Sequence, residues 1–568
     1  MSGISIGVIV ALLLYGIVIG YMSKRGADKT QGKSSEFFVA GRSVGPVMLL
    51  GTLCLSIWSA LSFYGWPAAA YRTGVGYFSG ATGTFFMGIM APCLMYPMWL
   101  LGKKYNYMTP ISMITHRYKS RFLSLLFSGI CIVFMVPYIA TQIIGVADGV
   151  DITTSGNLSF WLIVIILVVY IFGHVVGGGS NSVVATDTFA GFVGVGIVII
   201  STLFMANAIL GGGDGLVQTT QSMLAENPDY LAHSGTYGSW FSNLGLSLSA
   251  GAGLIVWPHI MVRAYMGRGP EVFKLQAVAQ PLLVCMLFSM FLFQGVWLGR
   301  AAYPDLEGAV TDGIVPMMAL QYAPAILSVL LVVGVFAFGL STADSQVVVV
   351  SSVIQQDIFE DTAEQTNKKR LYTWLIVLMI AVVLVVAFRP SLLVDYAYSF
   401  SSPGFFQMAP AIFGAMFWKR ATKEGAIVGT VAGLIAVLVS LFVYNPIPSM
   451  NPVLWGALFN VPLFIIVSLC TKPDEKAAEE IPGFLSEFFR ERNNTTFKVL
   501  LVLTLIVICQ DIFTCYMPNP ILFGWIPFQW MNHWFVAIEC SILGYLFCRN
   551  RFGPLPGDKK KAVGKSAQ

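Results

Sequence analysis

The chain has 568 residues, of which 56% are hydrophobic and 11% charged, with a formal net charge of +5. That balance excludes an ordinary soluble globular domain, and the basic residues are scattered over loops and tail rather than gathered in a stripe, which leaves nucleic acid unsupported as a partner. Its nine cysteines lack CxxC spacing and lie in or beside apolar runs, so they read as small apolar fillers rather than a disulfide or zinc framework.

A crossing needs roughly 20 apolar residues to cover roughly 30 Å of hydrocarbon. On that measure the chain is an all-α polytopic membrane protein with about fifteen transmembrane helices, near 3–23, 45–71, 77–101, 122–147, 159–175, 186–210, 241–262, 275–299, 324–350, 372–388, 396–418, 425–444, 452–470, 499–516 and 532–548. The first run is too long, and its flanks too poor in small cleavage-site residues, for a cleaved signal peptide, so it is kept as a span. Basic clusters at 24–42, 103–121, 263–274 (with Arg263) and 368–370 share one side by parity; Asp148, Asp151, Asp214, Glu226, Asp229, Asp305, Glu307 and Asp312 share the other. The positive-inside rule then sets the N-terminus outside, and the C-terminus, with Arg549, Arg551 and Lys559 to Lys561, inside. Residues 213–240 read as a long outer loop and 471–498 as a long inner one; within the latter, residues 481–490 read as a solvated connector, with a short amphipathic helix as the alternative. With no Walker loop, HExxH motif or nucleophile elbow, nothing supports an enzyme or an ATP-driven engine.

Polar residues inside the spans direct attention to three of them. In span nine, Ser341, Thr342, Asp344, Ser345 and Gln346 interrupt the hydrocarbon. An ionisable residue there is costly enough that it faces a cavity, a partner or an ion path. In span two, Ser56, Ser59 and Ser62 recur three residues apart, and span seven runs Ser242-Asn-Leu-Gly-Leu-Ser-Leu-Ser-Ala-Gly-Ala-Gly253. Discontinuous transporter helices look like this, since an unwound turn frees carbonyls for a cation; small residues that merely let helices pack are the plainer reading. If span two opens a five-helix unit, spans two to six and seven to eleven form two units of opposite topology, because five is odd. The chain then divides into residues 1–44, an extra helix and its loop; 45–212 and 213–420, the two units; and 421–568, accessory helices and a basic tail. Asp187 falls at the inner end of span six, beside a loop. No lysine or arginine falls within the spans to neutralise Asp187 or Asp344, so burial of both would require a bound cation or a proton.

The stretch Glu36-Phe-Phe-Val-Ala-Gly-Arg-Ser-Val-Gly-Pro46 resembles the glycine-arginine signature of the sodium:solute symporter family, which holds proline and sialic acid symporters and sodium/glucose cotransporters. Gly334 to Gln346, Asp187 in Thr-Asp-Thr, Pro258-His-Ile-Met-Val-Arg263 and Phe417 to Ala426 add to the likeness, in order over residues 1–450. The resemblance implies the inverted-repeat fold of the leucine transporter and Na⁺ as coupling ion. It implies a sodium site from the carbonyls of Leu55, Trp58 and Phe338 and the hydroxyls of Ser341 and Thr342. A second cation site of some members maps to Asp187, Ser341, Asp344 and Ser345. Asp344 departs from a serine there, so Na⁺, a proton or a hydrogen bond stay open. Ile57 stands where proline symporters carry an aspartate, which weighs against proline. The substrate would lie beside the sodium, with Ser59, Ser62, Tyr64, Gln142, Asn243, Ser247, Ser402 and Gln407 as candidates. Their neutral, aromatic-flanked chemistry suits a small polar or zwitterionic solute. The runs Ser341 to Gln346 and Val136 to Gln142 resemble the family branch that takes monocarboxylates and amino acids, which implies a small monocarboxylate, amino acid or similar solute. The expectation is a monomeric Na⁺ symporter of a bacterial inner membrane, embedded in the lipid bilayer; proton coupling is the alternative, and a transporter-like sensor a weaker one.

Overall fold

The computed structural model describes residues 2–30, 33–233, 240–249, 253–361, 367–388 and 392–552. The basic tail at Lys559 to Lys561 and part of the Gly-rich stretch of span seven lie outside them. The chain is helical almost throughout; a two-stranded antiparallel hairpin, Ile521–Leu522 with Ile526–Pro527, departs from the all-α expectation. Phe523 and Gly524 turn it with positive φ, as a tight hairpin requires.

Among the described residues ten helices are long and apolar enough to cross a membrane, or eleven counting one bent pair. We label α1 (Gly3–Thr30), α2 (Pro46–Ile57), α3 (Leu61–Thr73), α4 (Arg121–Thr153), α5 (Phe160–Leu210), α6 (Pro258–Met266), α7 (Ala325–Ser352), α8 (Lys423–Phe442) and α9 (Pro452–Cys470). The difference from about fifteen has physical causes. Predicted spans at 159–175 and 186–210 are both parts of α5, 51 residues long and broken at Gly179. At 1.5 Å per residue such a helix, if straight, would run about 77 Å, more than twice the hydrocarbon thickness. Gly179 makes the break with φ 53° and ψ −146°, and a Cβ there would stand 2.6 Å from the Phe37 carbonyl. The described residues of predicted spans 241–262 and 396–418 form short segments, and the helix Phe528–Arg551 carries His533, Glu539, Arg549 and Arg551.

Helix α7 is central, packing against α1, α2, α4, α5 and α6. Gly339 lets it approach, since a Cβ there would lie 2.4 Å from Val146 of α4 and 3.2 Å from Ala60. Away from this core α8 and α9 pair along a glycine seam: Gly425, Gly429 and Gly433 face Phe464, Ser468 and Asn460 closely enough to exclude any side chain. The two long loops are more ordered than expected. Gly213–Glu226 is a helix in the first, and in the second Ile481 and Leu485 are buried while Phe488 and Phe489 pack edge-on to Tyr96. The segment is therefore packed against the bundle instead of being a solvated connector.

Candidate functional site

The break between α2 and α3 bends the pair by 54°. Helix α2 stops at Ile57, where Trp58 turns extended (φ −86°, ψ 98°), and nearby hydroxyls take up carbonyls that the broken ladder frees. Ser62 Oγ donates to the Ile57 carbonyl at 2.7 Å, and Thr342 Oγ1, from α7, donates to the Leu55 carbonyl at 3.1 Å. The polar run of α7 and the interrupted span are thus in direct contact. Phe338 is fixed next to them, its ring stacked on Phe63 at 4.4 Å and seated over Gly194 of α5.

A closed polar network begins at Ser341, the neighbour of Thr342 on α7. Asp187, wholly buried on α5, accepts from Ser341 Oγ and, at 2.5 Å, from Thr52 Oγ1. Arg263 of α6 completes it. Its Nη2 lies 3.5 Å from the Asp187 carboxylate and donates to Ser345 Oγ at 2.7 Å; its Nε donates to Thr52 Oγ1 at 3.0 Å and its Nη1 to the His259 carbonyl. Ser345 in turn donates to the Ser341 carbonyl at 3.0 Å. This corrects two expectations. Arg263 is no inner-loop cation but 2% exposed inside α6, and Asp187, at no loop, has a buried positive partner.

Asp344 is paired as well. His174, on the other side of the Gly179 break, shares a hydrogen bond of 2.5 Å between its Nδ1 and Asp344 Oδ2, and both side chains are buried. Among the described residues, the second oxygen of Asp344 and Nε2 of His174 have no hydrogen-bond partner. His174 went unremarked in the sequence although it is an ionisable residue in an apolar run, the same signal that drew attention to Asp344. Thr52 carried a weaker signal, four residues before Ser56 on one helix face.

The proposed substrate residues separate by geometry. Gln142 of α4 is fully buried, and among the described residues both its amide atoms and the hydroxyl of buried Tyr64 are unpartnered. Ser59 stands in the break itself, and Ser62 spends its hydroxyl on it. The remaining four are engaged elsewhere. Gln407 faces α8 and α9, donating to the Pro403 carbonyl and accepting from Asn460 Nδ2 at 3.0 Å. Asn243 donates to the His233 carbonyl at 3.1 Å and to Cys515, Ser247 donates to the Ser79 carbonyl at 2.7 Å, and Ser402 donates to the Ser249 carbonyl. They are not brought to the break as one set, because each satisfies a local carbonyl or amide first.

The family model of the sodium:solute symporter family matches residues 37–433. The chain is 25% identical over 450 residues to the sodium/pantothenate symporter of Escherichia coli (strain K12), covering 76% of this chain and 89% of that protein. It is 24% identical over 493 residues to the sodium/proline symporter of Staphylococcus aureus (strain NCTC 8325 / PS 47), covering 83% and 92%. A solved structure of a Na⁺-coupled sialic acid symporter, substrate-bound and outward-open, matches with a TM-score of 0.68 over 83% of this chain and 99% of that one, at 18% identity; that likeness is one of fold. The family match takes in the broken pair, Asp187, Arg263 and the whole polar run of α7, and the chain belongs to the sodium:solute symporter family.

Proposed function

We propose that the protein imports a small organic solute together with Na⁺ by alternating access, with the ion at the break between α2 and α3. The observation that carries this reading is the Thr342 hydroxyl on the Leu55 carbonyl. It brings together a side-chain oxygen and a freed backbone oxygen from two helices, the kind of ligand a hard cation prefers. Carbonyls of Leu55, Trp58 and Phe338 with the hydroxyls of Ser341 and Thr342 make an all-oxygen set without a charged side chain, which fits a monovalent ion. Ser341 keeps lone pairs for it, since its hydroxyl proton is donated to Asp187.

The solute lies beside the ion, and Gln142, Ser59 and Tyr64 are its proposed contacts. Buried polar atoms without partners are expensive unless a ligand completes them. The relatives named for pantothenate and proline take carboxylate-bearing solutes, so a small carboxylate or zwitterion is the class to test. Since Arg263 is already engaged, the positive field on such a carboxylate would come from the Na⁺ ion and a half-helix N-terminus. We further propose fifteen spans with a five-plus-five inverted repeat, the N-terminus outside and the C-terminus inside, acting as a monomer. Proton coupling stands as the second reading because His174 and Asp344 form a buried titratable pair.

The test is uptake into proteoliposomes of labelled carboxylates, amino acids, sugars and vitamins, with Na⁺ and pH gradients imposed separately. Uptake driven by Na⁺ alone is expected; uptake driven by the pH gradient alone would transfer coupling to the His174–Asp344 pair.

A further inference from the structure

Resting on the sodium reading above, we infer that the Arg263 guanidinium is a resident cation in the place of a second sodium, so that the transporter binds one Na⁺ per cycle. The four side chains that would build a second site do not fit one. Asp187 is filled by Ser341, Thr52 and Arg263; Ser345 donates to a carbonyl and receives Arg263; and Asp344 is turned to His174. A metal ion among these oxygens would displace the guanidinium or share their lone pairs with it. Both choices bring two positive charges together in a buried site where their repulsion is strong. Arg263 cannot withdraw easily either, because its Nε and Nη1 hold Thr52 and the His259 carbonyl, and a buried arginine stripped of partners is costly.

The fixed pair also has a task at the first site. Ser341 is common to both sets: Asp187 receives its proton, so the hydroxyl oxygen is left facing away from the carboxylate. Arg263 is thereby a positioning residue, holding Asp187, which holds Ser341.

The experiment is equilibrium binding of radioactive Na⁺ to the purified full-length chain, read as ions per chain and as the slope of the saturation curve. One ion per chain with a slope of one is expected, and Thr342→Ala should weaken binding roughly tenfold or more with no residual high-affinity ion. In Arg263→Met the vacated oxygens should admit a second ion. Two ions per chain in the unaltered protein, or a residual tight ion in Thr342→Ala, would overturn the inference while leaving sodium coupling intact. A folded Arg263→Met chain that still binds a single ion would also overturn it. Should that variant not fold, the count in the unaltered chain and in Thr342→Ala decides. Failure of the unaltered chain to bind Na⁺ at all would remove the sodium reading itself, and this inference with it.

Discussion

Two of the buried polar clusters on helix α7 meet at the neighbouring residues Ser341 and Thr342, and they end differently. Around Asp187 each carboxylate oxygen and all three guanidinium nitrogens of Arg263 are hydrogen-bonded, so the cluster is closed on itself. Around the break, Gln142 and Tyr64 keep atoms that no described residue partners, and Thr342 holds a backbone carbonyl through one hydroxyl. The difference teaches how to separate scaffold from site in a membrane core. Satisfied polar groups stabilise one arrangement, whereas unsatisfied ones gain when something binds.

Substitutions should fall on either side of that division. The largest effect is expected from Arg263→Ala, which leaves the Asp187 carboxylate buried and unpaired at a cost of about 3–5 kcal/mol. Loss of monodisperse protein on size exclusion, or a steep drop in Tm, would register it; an unchanged Tm would break the comparison. Asn460→Ala, at the seam of α8 and α9, should cost about 1–3 kcal/mol by orphaning Gln407, with Na⁺ affinity unaltered in a binding assay. Thr342→Ala should reverse that pattern: a Tm shift worth about 1 kcal/mol, with Na⁺ binding weakened about tenfold. Smallest in stability is Gln142→Leu, near neutral in Tm because it removes an unpaired amide, yet it should raise the KM for solute. A Gln142→Leu transporter with unaltered KM would move the solute away from α4.

Much of this was legible in the chain. The polar run of α7 and the serines of span two are unusual in hydrocarbon, and both led to the break. What sequence left obscure were partnerships. Arg263 stands near Arg268 and Lys274, so counting basic residues by loop put it in water, although α6 runs from Pro258 to Met266 and buries it. His174 is a lone ring in an apolar stretch, and nothing in the sequence ties it to a carboxylate 170 residues away. Gln407 looked like a ligand because its partner, Asn460, lies on another helix. Types of side chain are visible locally, whereas satisfaction depends on neighbours that only folding supplies.

The Asp187–Arg263 pair also sets a timetable for synthesis. Seventy-six residues separate the two, and at roughly 5–20 residues per second the ribosome delivers the arginine roughly 4–15 seconds after the carboxylate. During that interval α5 enters the bilayer carrying an acid that insertion scales penalise by roughly 3 kcal/mol, with Thr52 already made but Ser341 and Arg263 still to come. The nascent first half is thus incomplete on its own, and the emergence of α6 is the moment at which that half acquires its counter-charge.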